Sequence, residues 1–123
     1  FDPAAETEFA RFCRALGFTV VDAEQGSVQQ ADLLVQGEGF SEFASRRGEL
    51  VSVKARLEVK IVNRTTGEVV VVDRQTRVAV DLAEQIAGKR ALQDAAADLA
   101  ARMLPDVALR DDVVRGVAVR GER

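Results

Sequence analysis

Apolar and polar residues alternate between Val51 and Ile61, and this is the strongest pattern in the chain. The odd positions carry valine, alanine, leucine and isoleucine, and the even positions carry serine, lysine, arginine and glutamate. A period of two over this length predicts a strand from Leu50 to Val62 with one buried and one solvent-facing side. Asn63 to Gly67 supplies turn residues, so we expect Glu68 to Val80 to return as the second strand of an antiparallel hairpin.

The returning strand has a less regular pattern. Four of its valines share one parity: Val70, Val72, Val78 and Val80. Arg74 and Thr76 interrupt that parity. Either the Arg74 side chain extends to water at the sheet edge, or a β-bulge shifts the register, and the pattern leaves both readings open.

Two segments have the pattern of amphipathic helices. The first begins with Asp2 as N-cap and Pro3 in the first turn, and Gly17 suits the position after its end. Its apolar face has helical spacing, with Phe9, Phe12, Cys13 and Leu16. The second helix begins at Asp81, with Glu84 completing a variant capping box, and ends near Leu104 before Pro105. Its apolar stripe comprises Leu92, Ala95, Ala96, Leu99 and Met103.

Shorter segments complete the predicted sheet. Phe18 to Val21 and Ala31 to Phe40 have strand-like composition, and residues 22–30 form a loop. Gly37 and Gly39 fall on the apolar face of the second of these strands, which suggests a bulge or the close approach of another element. Ser41 to Glu49 is a polar connection, and residues 113–119 are either a short strand or part of a tail.

These elements predict a single α+β domain over residues 1–123. Its parts are an N-terminal helix (1–17), a sheet region (18–80), a C-terminal helix (81–104) and a tail or short strand (105–123). We expect about four largely antiparallel strands with both helices packed on one face.

Composition narrows the function classes. The formal net charge is −3, and the only adjacent basic pairs are Arg46-Arg47 and Lys89-Arg90, which argues against nucleic-acid binding. No apolar run approaches the ~20 residues of a transmembrane helix. Cys13, the single cysteine, lies on a helix face and is expected to be a buried hydrophobe rather than a reactive thiol. The chain starts at Phe1, so a signal peptide or lipid anchor before that residue stays open.

The chain offers few groups for catalysis. It contains no histidine, which excludes histidine-dependent nucleophile systems and histidine-ligated metal sites. It has no phosphate-binding loop, and Gly37-Glu38-Gly39 is a fragment of a dinucleotide motif inside a predicted strand. Glu38 and Glu42 are the candidate acid–base pair. We expect no catalytic residues, no cofactor and no metal.

Two further motifs have a structural and a functional interpretation. Asn63-Arg64-Thr65 matches a glycosylation acceptor, but it also stands where the hairpin needs turn residues, and the turn is favoured. The solvent-facing side of the long strand carries Lys54, Arg56, Glu58 and Lys60. A solvated sheet face is the simpler explanation of these charges, and a mildly basic docking surface is the functional one.

Residues 18–104 resemble a group of bacterial envelope domains. The group includes the curli-secretion lipoprotein, the lipoprotein activators of penicillin-binding proteins and the middle domain of a flagellar assembly protein. The resemblance rests on an ordered set of cues: Gly17-Phe18 before a short strand, Ala31-Asp32 opening a strand that leads to Gly37, the long alternating strand to Val62, the turn at Thr66-Gly67-Glu68 and the alanine-rich helix around Ala91-Leu92. The chain departs from the group because its only cysteine is inside a helix, and because residues after Pro105 have no counterpart.

The resemblance implies an interaction or assembly module of a periplasmic or outer-membrane-tethered protein. Its partners would be other envelope proteins, with homo-oligomerisation left open. The alternative is a domain that binds a small ligand or glycan, with Glu38 and Glu42 near the site. A deep pocket around these two carboxylates would favour the alternative, and a flat charged sheet face or an exposed edge would favour the interaction module.

Overall fold

A computed structural model describes residues 3–21, 28–108 and 116–122, and within these ranges five strands form one sheet. The strands are β1 (Thr19–Val21), β2 (Leu33–Arg47), β3 (Leu50–Asn63), β4 (Val69–Asp81) and β5 (Gly116–Glu122), in the spatial order β1-β5-β2-β3-β4. The helices are α1 (Pro3–Ala15) and α2 (Glu84–Ala108), and Val28–Gln30 forms a 3₁₀ turn. Neither α1 nor α2 has a stretch long and apolar enough to cross a membrane.

The α+β class is confirmed, but the expected sheet of about four largely antiparallel strands is wrong in detail. β5 inserts between β1 and β2 and runs parallel to both, with Val117 opposite Val20 on one side and Leu33 on the other. The β2–β3 and β3–β4 pairs are antiparallel, as the predicted hairpin requires. The sheet is therefore mixed, because β5, the last strand along the chain, lies between two earlier strands and parallel to them.

Both helices cover one face of the sheet, as expected. The odd-numbered residues of β3 are buried beneath them, from Val51 to Ile61, together with Leu92, Leu99 and Met103 of α2. Phe9 and Cys13 of α1 join the same core. Even-numbered residues of β3 lie on the other side, which no described helix covers, and we call this side the open face.

A left-handed glycine ends α1 and directs the chain into the sheet. Gly17 has a φ of 93°, a conformation that other residues avoid. The Phe18 N–H donates to the Cys13 carbonyl at 3.0 Å and the Gly17 N–H to the Arg14 carbonyl at 3.1 Å, which together form a Schellman motif. Phe18 is buried, so the same turn anchors the start of β1. Leu16, predicted to lie on the apolar face, is exposed because the helix ends before it.

β2 is longer than predicted, and the polar connection expected from Ser41 to Glu49 is wrong. The strand continues to Arg47, which pairs with Leu50 across a tight turn at Gly48, whose φ is 61°. The only irregularity is a register shift between Phe43 and Ser45. Residues 40–50 are all exposed, so this half of the hairpin lacks the burial that produces alternation. Backbone pairing with β3 maintains the strand.

The structure decides between the two interpretations of β4, an Arg74 side chain that extends to water or a bulge that shifts the register. The helix-facing residues are the odd ones, and Ala79 is buried among them, whereas Val72, Val78 and Val80 lie on the open face and are exposed. A bulge is present, but it lies opposite Ile61 and Val62, near the start of the strand. Arg74 is therefore in register and on the open face.

The predicted end of α2 at Leu104 is also wrong, because the helix continues through Pro105 to Ala108. A proline removes one helical hydrogen bond. Leu104 and Val107 are buried in the core, and their packing holds the last turn in place. The predicted start at Asp81 is wrong as well, because α2 begins at Glu84. Asp81 Oδ1 accepts from the N–H groups of Leu82 and Ala83 at 2.7 and 3.3 Å, so it organises the turn before the helix.

Candidate interaction surface

The open face is a broad surface formed by β2, β3 and β4. Residues directly opposite one another form three cross-strand rows: Glu42–Lys54–Val78, Phe40–Arg56–Thr76 and Glu38–Glu58–Arg74. A fourth row consists of Gln36, Lys60 and Val72. Acidic, basic and apolar side chains are therefore interleaved over the whole surface.

All four residues predicted for the docking surface lie on the open face. Arg56 Nη2 donates to Glu58 Oε1 at 2.8 Å, and both side chains remain about half exposed. Within the described ranges Lys54 and Lys60 form no ion pair. The two lysines are consequently available to an incoming partner, whereas much of the charge of Arg56 is balanced by its neighbour.

Glu38 and Glu42 share the open face but are not brought together. They are four residues apart on β2, which corresponds to about 13 Å along an extended strand. Glu38 borders a shallow depression of about 210 Å³ with Gln36, Glu58 and Lys60. Glu42 borders a different one of about 260 Å³, beside Glu84 and Lys89 of α2. Paired-carboxylate hydrolysis needs separations of about 5–9.5 Å, so this geometry does not support it.

The sequence interpretation missed four exposed apolar residues on the open face. Phe40 is 52% exposed, and Val72, Val78 and Val80 are 65%, 54% and 44% exposed. Phe40 lies directly opposite Arg56, so an aromatic ring and a guanidinium group occupy the Phe40–Arg56–Thr76 row. The sequence did contain a signal for the exposure of Phe40. Phe40 is at an even position of β2, whereas the core residues Leu33 and Val35 are at odd positions.

Two other predicted features lie outside this surface. Cys13 is fully buried, and burial raises the pKa of its thiol to about 12, which agrees with a packing role. Asn63 Oδ1 accepts from the N–H groups of Thr65 and Thr66 at 2.9 and 3.0 Å, and so organises the β3–β4 turn. No group of carboxylates and cysteine suited to a metal ion occurs in the described part of the chain.

Comparison with known proteins gives no family assignment. No family model matches the sequence, and no curated protein matches it. Among solved structures, a protein from Caulobacter crescentus provisionally described as a lipoprotein is similar, with a TM-score of 0.46 and 14% sequence identity. The similarity covers 85% of this chain and 92% of the other. This similarity is too low to transfer a function.

Proposed function

We propose that this chain is a non-catalytic interaction or assembly module of a bacterial envelope protein, and that it works through the open face. The observation that carries the proposal is the Phe40–Arg56–Thr76 row, where exposed Phe40 lies beside Arg56 on a broad sheet surface. Aromatic residues and arginine supply much of the binding energy in protein interfaces. The envelope setting rests on the resemblance of residues 18–104 and on no structural feature.

The charges around Phe40 suit a partner with acidic groups. Lys54 and Lys60 stand on either side of the Arg56–Glu58 pair along β3 and are exposed. Charges at the margin of an interface mainly change the association rate and its dependence on salt. Phe40 should therefore determine how long the complex lasts, and the two lysines should determine how fast it forms.

Two phenylalanines on one strand provide a matched test of this proposal. Phe40 and Phe43 have similar exposures of 52% and 48%, but Phe43 pairs with Val53 and so lies on the helix side. The tagged chain should capture a defined partner from a bacterial envelope fraction, and the partner should then be purified for binding kinetics. Phe40→Ala should weaken that binding about tenfold or more, whereas Phe43→Ala should leave it within about twofold.

Melting temperatures of both variants control for loss of folding. Equal binding by the two variants would show that the open face is not the interface. Stoichiometric binding of a glycan in calorimetry, lost in Glu38→Gln, would replace the proposal with the ligand-binding alternative.

A further inference from the structure

β4 is at the end of the sheet, and no described strand pairs with its outer side. Three of its carbonyls accept hydrogen bonds from side chains: Arg74 from Arg102 at 3.0 Å, Thr76 from Gln75 at 3.5 Å and Val80 from Arg90 at 3.4 Å. All three belong to even-numbered residues. In an antiparallel pair, alternate residues direct their backbone groups away from the partner strand. The even residues of β4 therefore present their N–H and C=O groups at the outer edge.

A second copy of the chain could pair with this edge only in certain registers. A two-fold axis perpendicular to the sheet makes the strands antiparallel and places the helices of both copies on one side. Directly opposed residues must then point to the same face, so the axis passes between the two copies of one residue. Each candidate register is thus defined by the residue that pairs with its own copy.

The register centred on Gln75 matches apolar with apolar residues and acid with base. Val72 would face Val78 of the second copy, and Val71 would face Ala79. Asp73 would face Arg77, and each of these pairs occurs twice by symmetry. These cross-strand pairs are of the kinds that stabilise antiparallel sheets.

The neighbouring registers lack this complementarity. Centring on Arg74 sets two arginines against each other and places Arg77 against Val71. Centring on Thr76 places Arg74 against Val78 and Asp73 against Ala79, so the acid–base pair is lost. The sequence of β4 is therefore close to self-complementary in one register, and charge mismatches disfavour the adjacent ones.

We propose that the outer edge of β4 pairs antiparallel with β4 of a second copy of this chain, in the register centred on Gln75. This interface is distinct from the surface around Phe40, so either proposal can fail alone. The residues at Val72, Thr76 and Val78 would each donate and accept one backbone hydrogen bond across the interface. Arg74 would do the same once its N–H, which donates to Asp73 Oδ1 at 2.7 Å, turns to the Thr76 carbonyl of the second copy. The Arg74 carbonyl can keep its bond to Arg102, because a carbonyl oxygen accepts two.

Ion pairs already present on the helix side would extend across the interface. Arg102 Nε donates to Asp73 Oδ2 at 3.0 Å, and Arg77 Nη1 donates to Asp98 Oδ2 at 2.6 Å. In the proposed dimer, the pairing of Asp73 with Arg77 of the second copy would join these two ion pairs into one network of alternating charge. Arg77 also lies 3.7 Å from Asp94, so the added carboxylate joins an arginine that is well surrounded by acids.

A charge-exchange experiment tests both the interface and its register. The wild-type chain should have the mass of a dimer in light scattering, with dissociation on dilution. Val72→Lys combined with Val78→Lys should weaken dimerisation about tenfold or more, because lysines would oppose each other twice. Val72→Lys combined with Val78→Glu should restore the dimer, because each lysine would then face a glutamate.

Leu50→Lys is the control, since Leu50 is also exposed, at 49%, but lies at the far turn of the β2–β3 hairpin. It should dimerise like the wild type. A wild-type chain that stays monomeric up to millimolar concentration, or a double-lysine variant that dimerises normally while folded, would overturn the proposal.

Cross-linking gives a second measurement that does not depend on substituted charges. In the proposed register Gln75→Cys places two cysteines directly opposite each other, within the range of Cα separations that a disulfide spans. Thr76→Cys would face Arg74 of the second copy instead and should cross-link poorly. Cys13 is buried and will not compete. Equal cross-linking at the two positions would refute the register.

Discussion

Replacing Gly39 by alanine should destabilise this fold although it adds a single methyl group. A Cβ at this position would lie 2.9 Å from Leu57 Cδ1, 3.1 Å from Leu92 Cδ2 and 3.3 Å from the Arg56 carbonyl oxygen. Leu57 and Leu92 are 1% and 3% exposed, so neither can move into solvent. Overpacking of this kind costs about 1–3 kcal/mol. Loss of glycine flexibility in the unfolded chain offsets about 0.4–1 kcal/mol.

The net destabilisation should therefore be about 1–2 kcal/mol. An unfolding entropy of about 2.1 cal/mol/K per residue gives about 0.26 kcal/mol/K for 123 residues, so the Tm should fall by about 4–8 °C. Gly37→Ala is the matched control, because its Cβ would meet its nearest neighbours at ordinary distances of 3.7–3.9 Å. Calorimetric melting of both variants measures the difference. Melting temperatures within a degree of each other would refute the close packing of α2 on β2.

Three further perturbations test the core and the ion pairs. Leu99→Ala should lower the free energy of unfolding in urea by about 2–5 kcal/mol, because Leu99 is fully buried. A loss below about 0.5 kcal/mol would show that α2 does not pack there. Hydrogen bonding to Arg102 lowers the pKa of Asp73, and the Ala83 N–H together with Arg90 lowers the pKa of Asp81. Because these pKa values are depressed in the folded state, the stabilisation should be complete above about pH 4 and disappear as the pH falls through the folded values. The Tm of Asp73→Asn with Asp81→Asn should therefore depend less on acid than the Tm of the wild type, and identical profiles would contradict this. Burial raises the pKa of the Cys13 thiol to about 12, so a thiol reagent should modify it only on unfolding. Rapid modification of the native chain at neutral pH would place Cys13 outside the core.

The sequence predicted those elements whose pattern is set by burial on one side. β3 alternates because its odd residues face two helices, and Gly17 ends α1 because its φ is positive. The second half of β2 was missed for the opposite reason, since Ser41 to Arg47 are exposed and no alternation is imposed on them. The position of β5 could not be predicted, because its partners β1 and β2 are far away in the sequence. The spacing of apolar residues also carries no information about strand order.

The candidate site was predictable only where burial of one side of a strand fixes the position of the other side. The charged positions from Lys54 to Lys60 follow directly from the parity of β3, whose buried side is unambiguous. Phe40 and Val78 are apolar residues that face water, and a reading that assigns apolar residues to the core overlooks them. Such residues can be recognised as solvent-facing only when buried residues of the same strand show which parity faces the core.

The two proposed interfaces have a geometric relationship that bears on assembly. A two-fold axis perpendicular to the sheet leaves the helices of both copies on one side, so the two open faces would join into one continuous surface on the other. Phe40 and Arg56 would then occur twice on that surface, and β3 and β4 of both copies would separate the two Phe40 side chains. A partner that also has two-fold symmetry, or that repeats along its length, would engage both sites at once. Joint engagement raises the effective affinity without any new contact, because the second binding event becomes intramolecular. If both proposals hold, the variants that break the β4 pairing should therefore also weaken binding through Phe40 to such a partner.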